Sequence, residues 1–120
     1  MSIDRSAAKL ELARINLRRA GLLDSVDLLE GDATSVVQGL PGPFDTVFFD
    51  ADRRSAPAQL RALLPKLEPD VLVAADNVLS HPTEIADYLA VIQALDMFEH
   101  LIVPIGKGLS LAYRAVACRG

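Results

Sequence analysis

The chain has 120 residues, of which 51% are hydrophobic, and this predicts one domain with a single core over residues 1–120. No apolar run approaches the about 18 residues of a membrane span, and the first residues lack the basic and apolar segments of a signal peptide. The formal net charge is −4 without a basic block, which argues against a nucleic-acid partner. The single cysteine, Cys118, cannot form an internal disulfide and indicates a reducing, cytoplasmic location. We interpret this cysteine as incidental.

Amphipathic segments alternate with short apolar runs along the chain. A strand over Met1–Asp4 precedes a helix over Ser6–Ala20, and Gly21 follows where a helix end favours a left-handed residue. The other predicted elements are strand Val26–Glu30, helix Ala33–Leu40, strand Thr46–Phe49, helix Pro57–Leu67, strand Val71–Ala75, helix Pro82–Leu95, and strands Leu101–Ile105 and Leu109–Val116. Strands that are apolar on both faces and alternate with helices indicate a parallel sheet covered on both sides. The glycine-containing turn between the last two strands predicts an antiparallel hairpin.

Acidic residues stand at or just after the ends of four predicted strands: Asp4, Asp32, Asp50 and Asp76. Ligands of parallel α/β sheets bind at the carboxyl ends of the strands. Any one of these aspartates could instead cap the helix that follows it. Four like charges along one edge cost stability, however, and therefore favour a site for a cation or a polar ligand.

Five segments together resemble class I methyltransferases, and most closely the cation-dependent catechol and caffeoyl-coenzyme A O-methyltransferases. They occur in the family's order and spacing and extend over nearly the whole chain. The segments are Ser2–Leu22, Glu30–Ala33, Phe44–Asp52 with the sequence FDTVFFDAD, Ala75–Leu79 with the sequence ADNVL, and Val103–Leu109 with the sequence VPIGKGL.

The resemblance implies a Rossmann-like α/β methyltransferase sheet, mostly parallel with a C-terminal antiparallel hairpin. It also implies that the family's first strand and glycine-rich loop are missing, because no G-x-G precedes Asp4. The implied activity is S-adenosylmethionine-dependent methyl transfer to a hydroxyl of a small molecule, assisted by Mg²⁺. The alternative is a non-catalytic, truncated methyltransferase-fold module that oligomerises or pairs with another chain.

The resemblance also implies roles for individual residues. Asp4 stands where the family binds the two ribose hydroxyls of the cofactor, and Asp32 and Ala33 stand where it contacts adenine. The family's divalent-metal ligands correspond to Asp50, Asp76 and Asn77. Asp50 also corresponds to a position beside the cofactor and the reacting groups. Carboxylate and amide oxygens are donors that suit Mg²⁺.

Two further candidates have a functional and a plainer interpretation. Arg53 replaces the lysine that the catechol enzymes use as a base. An arginine stays protonated and cannot act as a general base, so Arg53 is either a catalytic-site charge or a solvated surface residue. His81 is either a base or metal ligand, or simply the residue before the helix that Pro82 opens.

A missing central strand would leave unpaired backbone on both sides of a gap in the sheet. We therefore expect a homo-oligomer whose interface involves the Met1–Asp4 strand or the edge beside Thr46–Asp50. A receiver-type signalling domain is the weaker interpretation, because an earlier strand lacks the acidic pair that such a domain needs.

Overall fold

The computed structural model describes residues 1–50 and 52–115. The strands are β1 (Ser2–Asp4), β2 (Leu28–Glu30), β3 (Phe44–Phe49), β4 (Leu67–Asp76), β5 (Glu99–Val103) and β6 (Leu109–Arg114). The α-helices are α1 (Ala7–Arg19), α2 (Ala33–Gln38), α3 (Ala56–Leu63) and α4 (Pro82–Gln93), with short 3₁₀ turns at Leu23–Ser25 and Leu64–Lys66. Two compact units result, residues 1–40 and residues 41–120. Among the described residues, none of the helices combines the length and apolar character needed to cross a bilayer.

The first unit is a β-α-β-α segment built on two parallel strands. β1 pairs with β2 in register, with Asp4 opposite Glu30. The Ser6 hydroxyl caps α1 by accepting a hydrogen bond from the Lys9 amide at 3.2 Å. α1 ends at Arg19, and Gly21, just beyond the cap residue Ala20, has a φ of 75°, which confirms the left-handed residue expected there.

The second unit contains a four-stranded mixed sheet in the order β3-β4-β6-β5. β3 and β4 are parallel, whereas β6 is antiparallel to both β4 and β5. The predicted hairpin of the last two strands is therefore confirmed. Its second strand, β6, is inserted between β4 and β5. Asp76 is opposite Leu109, so the carboxyl end of β4 lies beside the turn of the hairpin.

α3 and α4 pack on one face of this sheet and form its core. Tyr88 of α4 is completely buried, and its ring meets the Phe49 ring edge-on at 5.4 Å between centroids. The buried residues of this core are Ala56, Leu60, Val71, Val73, Ala75, Val78, Ile85, Tyr88, Ile92 and Ala112.

The structure corrects three details of the sequence interpretation. α3 ends at Leu63 rather than Leu67, because Pro65 has no backbone N–H and cannot continue a helix. β4 consequently begins at Leu67, earlier than the predicted Val71. The sheet is not covered on both sides: large apolar side chains of one face are exposed, among them Phe48 and Tyr113. The predicted end of the last strand at Val116, and Cys118, lie outside the described residues.

Candidate functional site

The candidate cofactor residues of the first unit lie at the carboxyl ends of β1 and β2. Asp4 is half-buried, and its Oδ1 accepts a hydrogen bond from the Ser6 amide at 2.9 Å. The Asp4 carbonyl accepts a hydrogen bond from Gly31 at 3.0 Å, which ties the two strand ends together. Within the described part of the chain, Oδ2 of Asp4 makes no hydrogen bond, so this oxygen is available to a ligand hydroxyl.

Asp32 stands at the start of α2 and is held by two side chains. Its Oδ1 accepts a hydrogen bond from Arg5 Nη2 at 2.7 Å, and its Oδ2 accepts one from the Ser35 hydroxyl at 3.3 Å. The Arg5 hydrogen bond is the main reason why the pKa of Asp32 is lowered. Asp32 thus stays ionised, with one lone pair on each oxygen still able to accept from a ligand. Ala33, the first residue of α2, is half-buried beside it.

The candidate metal residues of the second unit lie where β3 and β4 end. Phe49 pairs with Ala75 in the parallel ladder. The next residues, Asp50 and Asp76, therefore lie at the same level of two strands whose axes are about 4.8 Å apart. Oδ1 of Asp76 accepts a hydrogen bond from the Asn77 amide at 2.8 Å. Asn77 itself has a left-handed backbone with φ 61°, which asparagine tolerates better than most residues.

The donor chemistry of this group fits Mg²⁺. Two carboxylates and one amide oxygen are hard ligands, and Mg²⁺ usually keeps several waters. No set of three or more His, Cys, Asp or Glu side chains among the described residues could hold a metal. The group predicted here has only two such side chains, Asp50 and Asp76, together with Asn77, so a metal there would depend on water for its remaining positions.

The hairpin turn between β5 and β6 supports the loop after β4, a role that the sequence analysis missed. The amides of Val78 and Leu79 donate to the carbonyls of Gly108 and Lys107 at 3.2 and 2.8 Å. A side chain at Gly108 would collide with Leu79, since an added Cβ would lie 2.5 Å from the Leu79 Cγ. The signal in the sequence is the pair of glycines around Lys107, both of which have positive φ angles in the structure.

Arg53 is neither a solvated surface residue nor an unpaired charge. Its Nε donates to Glu84 Oε2 at 3.1 Å, linking the loop after β3 to the first turn of α4. Arg54 lies near the other oxygen of Glu84, at 3.8 Å. Sequence reasoning missed Glu84, because nothing local connects two residues that are 31 positions apart.

His81 occupies the N-cap position of α4. Its ring is exposed, and Nδ1 lies 3.0 Å from the Ser80 hydroxyl. Its carbonyl accepts the first helical hydrogen bond, from Ile85 at 3.2 Å. The position matches the plainer interpretation, while a role as base stays a prediction.

An open groove of about 430 Å³ lies in the first unit, bordered by Met1, Leu28 and Leu40 among others. Neither Asp4 nor Asp32 borders it. It adjoins the opposite ends of β1 and β2, and we assign it no part in the candidate site.

Helices that follow parallel strands, with acidic side chains at the strand ends, define an α/β protein of the Rossmann-like type, which binds ligands at those ends. A family model described as a methyltransferase domain matches residues 1–78. The chain belongs to this methyltransferase family. Relatives named catechol O-methyltransferase support the resemblance to O-methyltransferases that the motifs indicated.

One similar protein is the catechol O-methyltransferase of Mycobacterium tuberculosis, 37% identical over 70 residues, which cover 58% of this chain and 32% of that protein. The match thus spans about a third of that relative's length. A methyltransferase from Geobacter sulfurreducens superposes with a TM-score of 0.82 at 29% identity, over 95% of this chain and 57% of that one. An O-methyltransferase from Bacillus cereus, solved in complex with SAH, has a TM-score of 0.84 at 24% identity, over 94% of this chain and 61% of that one. The last likeness concerns the fold alone.

Proposed function

We propose that this chain takes part in S-adenosylmethionine-dependent methyl transfer to a hydroxyl group of a small molecule, with help from Mg²⁺. The observation that carries the proposal is the placement of acidic residues where neighbouring parallel strands end, Asp4 and Asp32 in one unit and Asp50 and Asp76 in the other. All four lie within residues 1–78, which the methyltransferase domain model matches.

Asp4 and Asp32 would hold the nucleoside part of the cofactor. Oδ2 of Asp4 can accept a hydrogen bond from a ribose hydroxyl while Oδ1 keeps the Ser6 amide. Asp32, kept ionised by Arg5, can accept from the exocyclic amine of adenine, with Ala33 beside the ring. S-adenosylmethionine supplies a methyl group on a positively charged sulfur.

Asp50, Asp76 and Asn77 would hold the magnesium ion. A bound Mg²⁺ supplies positive charge that favours the ionised form of an acceptor hydroxyl. The cofactor would supply its methyl group to the acceptor oxygen and keep the electron pair of the carbon–sulfur bond, and the exposed imidazole of His81 would take the hydroxyl proton. Arg53 stays protonated and contributes positive charge. Its hydrogen bond to Glu84 holds the loop after β3 in position.

We propose that the acceptor is a small hydroxylated compound. We also propose a cytoplasmic location, which agrees with the single cysteine of the sequence.

The experiment that tests the proposal is transfer of a radiolabelled methyl group to catechol, as the probe acceptor, in Mg²⁺ or in EDTA. We expect transfer that EDTA abolishes and that Asp76→Asn lowers by at least about 100-fold, the scale of losing one group that stabilises a transition state. The matched control, Asp87→Asn, changes an exposed aspartate of α4 and should keep full activity. Equal loss in both variants, or transfer in EDTA, would contradict the metal role.

The second candidate is a non-catalytic module that pairs with another copy of itself. It is favoured by the sheet edges: within the described residues, β1 pairs only with β2, and β3 pairs only with β4. An exposed strand edge is a template for pairing with another chain. Light scattering tests this candidate, because a self-pairing module must be an oligomer. Hydrogen exchange is the second measurement, because pairing along β3 should slow the exchange of the β3 amides at high protein concentration. A monomer with rapidly exchanging β3 amides would eliminate it.

A further inference from the structure

The loops that follow β3 and β4 carry the candidate metal ligands. Asp50 begins the first loop, Asp76 ends β4, and Asn77 begins the second loop, which leads to α4. Parallel pairing fixes the level at which the two strands end, but it does not fix the loops beyond them. Mg²⁺ requires its ligands at nearly ideal positions, so the contacts that hold these loops matter for metal binding.

The loop after β4 is held from two sides. The Ser80 hydroxyl donates to the Asn77 carbonyl at 3.0 Å, and the amides of Val78 and Leu79 donate to carbonyls of the hairpin turn. The loop ends at His81, the N-cap residue of α4. Its backbone is therefore fixed from Asn77 to the start of α4.

The loop after β3 is held locally at the start of α3. Oδ1 of Asp52 accepts a hydrogen bond from the Arg54 amide at 3.1 Å, and Oδ2 accepts one from the Ser55 hydroxyl at 2.5 Å. Ser55 is the residue before α3. These bonds shape the turn, but their partners lie within four consecutive residues, so they do not orient the turn toward the loop after β4.

A hydrogen bond between Arg53 and Glu84 joins the two loops. Arg53 lies three positions after Asp50, and Glu84 lies in the first turn of α4, three positions after His81. Nε of Arg53 donates to Oε2 of Glu84 at 3.1 Å, and the two side chains are only 23% and 33% exposed. Both residues belong to the unit of residues 41–120, so this link does not involve the arrangement of the two units.

We propose that Glu84 is a positioning residue for the magnesium site. Its hydrogen bond with Arg53 holds Asp50 within reach of the ion and thereby sets the metal affinity. The inference rests on the magnesium site of the proposed function, and Glu84 itself does not touch the metal. Side chains that directly hold a metal ligand typically change metal affinity by about 10- to 100-fold. Glu84 acts through an intermediate residue and should contribute at least about fivefold.

An effect of charge alone would have a different signature. Arg53 and Arg54 are cations, and both lie beside the Glu84 carboxylate. If Glu84 acted only through its charge, removing Glu84 would weaken the binding of a cation, and removing Arg53 would strengthen it. If Glu84 acts by position, the loss of either partner weakens the binding.

Titration of the full chain with Mn²⁺ tests the proposal, with the free ion measured by electron paramagnetic resonance. Mn²⁺ takes the same oxygen ligands as Mg²⁺. A glutamine amide nitrogen stands at the same position along the side chain as arginine Nε, so Arg53→Gln keeps a donor for Glu84 without the charge. Arg53→Met keeps neither. We expect Glu84→Gln and Arg53→Met to weaken binding at least about fivefold, and Arg53→Gln to stay within about twofold of the unmodified chain.

The double variant Arg53→Met with Glu84→Gln has the net charge of the unmodified chain. It should bind no more weakly than the weaker single variant, because both changes remove the same hydrogen bond. The control is Arg54→Met, which removes a 71% exposed side chain 3.8 Å from Glu84 and should change the affinity by less than about twofold. Circular dichroism confirms that each variant is folded before affinities are compared.

The possible failures are distinguishable. Tighter binding by Arg53→Met, or a double variant with full affinity, would overturn the proposal in favour of a charge effect. Equal losses in Arg53→Gln and Arg53→Met, or no loss in Glu84→Gln, would overturn the positioning role and leave the magnesium site standing. Absence of saturable Mn²⁺ binding to the unmodified, folded chain would refute the magnesium site and the positioning role with it.

Discussion

The two arginines that share Glu84 should differ in how strongly they stabilise the protein. The Arg53 side chain is 23% exposed and that of Glu84 33%, with a hydrogen bond of 3.1 Å between them. Arg54 is 71% exposed, and its Nε lies 3.8 Å from the same carboxylate. Partial burial strengthens the first pair, so we expect a coupling free energy of about 1–2 kcal/mol. The second pair is screened by water and should give about 0.2–0.5 kcal/mol.

Double-mutant cycles measure these two couplings separately. Arg53→Met, Arg54→Met and Glu84→Gln are each made alone, and each arginine variant is also combined with Glu84→Gln. All are unfolded in urea and followed by circular dichroism. Added salt should weaken the Arg54 coupling more than the Arg53 coupling, because an exposed pair is screened more. A coupling for Arg54 equal to or larger than that for Arg53 would refute the reasoning. It would mean that the Arg53 loop is not fixed by Glu84.

Three further predictions concern stability. Tyr88 is buried, and its hydroxyl has no hydrogen-bond partner among the described residues, so Tyr88→Phe should leave the free energy of unfolding unchanged or raise it by up to about 1 kcal/mol; a clear loss in urea unfolding would reveal a partner. Burial lowers the pKa of His100, so its imidazole is protonated at a higher pH in the unfolded chain than in the folded chain. The contribution of His100 to the free energy of unfolding should therefore be full above about pH 6.5 and decline as the pH falls below it. His100→Gln should flatten that decline in urea titrations, and an unchanged slope would contradict the assignment. Gly108→Ala should cost about 2 kcal/mol more than Gly106→Ala, because both angles are left-handed but only the first added Cβ meets Leu79; equal losses would contradict the collision.

The ends of the parallel strands could be predicted from the sequence with little error. Fully apolar runs end at Phe49 and Ala75, and the next residue in each case is an aspartate. Parallel pairing in register then brings Asp50 and Asp76 to the same level. The pairing of Asp4 with Glu30 follows in the same way from β1 and β2.

Contacts between residues distant in sequence could not be predicted. Glu84 reads as an ordinary acidic residue in the first turn of a helix, favoured there by the helix dipole, and only the folded chain brings it to Arg53. The hairpin pattern of the last strands predicts that they pair, but not that β6 lies against β4.

The apolar pattern also led to one wrong expectation. Phe48, Leu72 and Leu101 alternate with residues that are buried or half-buried, so their strands read as covered on both faces. The apolar residues of a strand indicate that its faces can be buried, but they do not indicate which element covers each face. In the second unit both helices pack on one face, and the other face is left open.

Binding of S-adenosylmethionine at the strand ends is measured by calorimetric titration of the folded chain with S-adenosylhomocysteine, with and without Mg²⁺. We expect saturable binding that Asp4→Ala weakens by about 1.5–3 kcal/mol, or about 10- to 150-fold, the cost of losing hydrogen bonds to a charged group. Asp27→Ala, which removes an exposed carboxylate just before β2, should leave the affinity unchanged. Absence of binding to the folded chain, or an affinity that Asp4→Ala does not alter, would mean that the strand ends do not bind the cofactor.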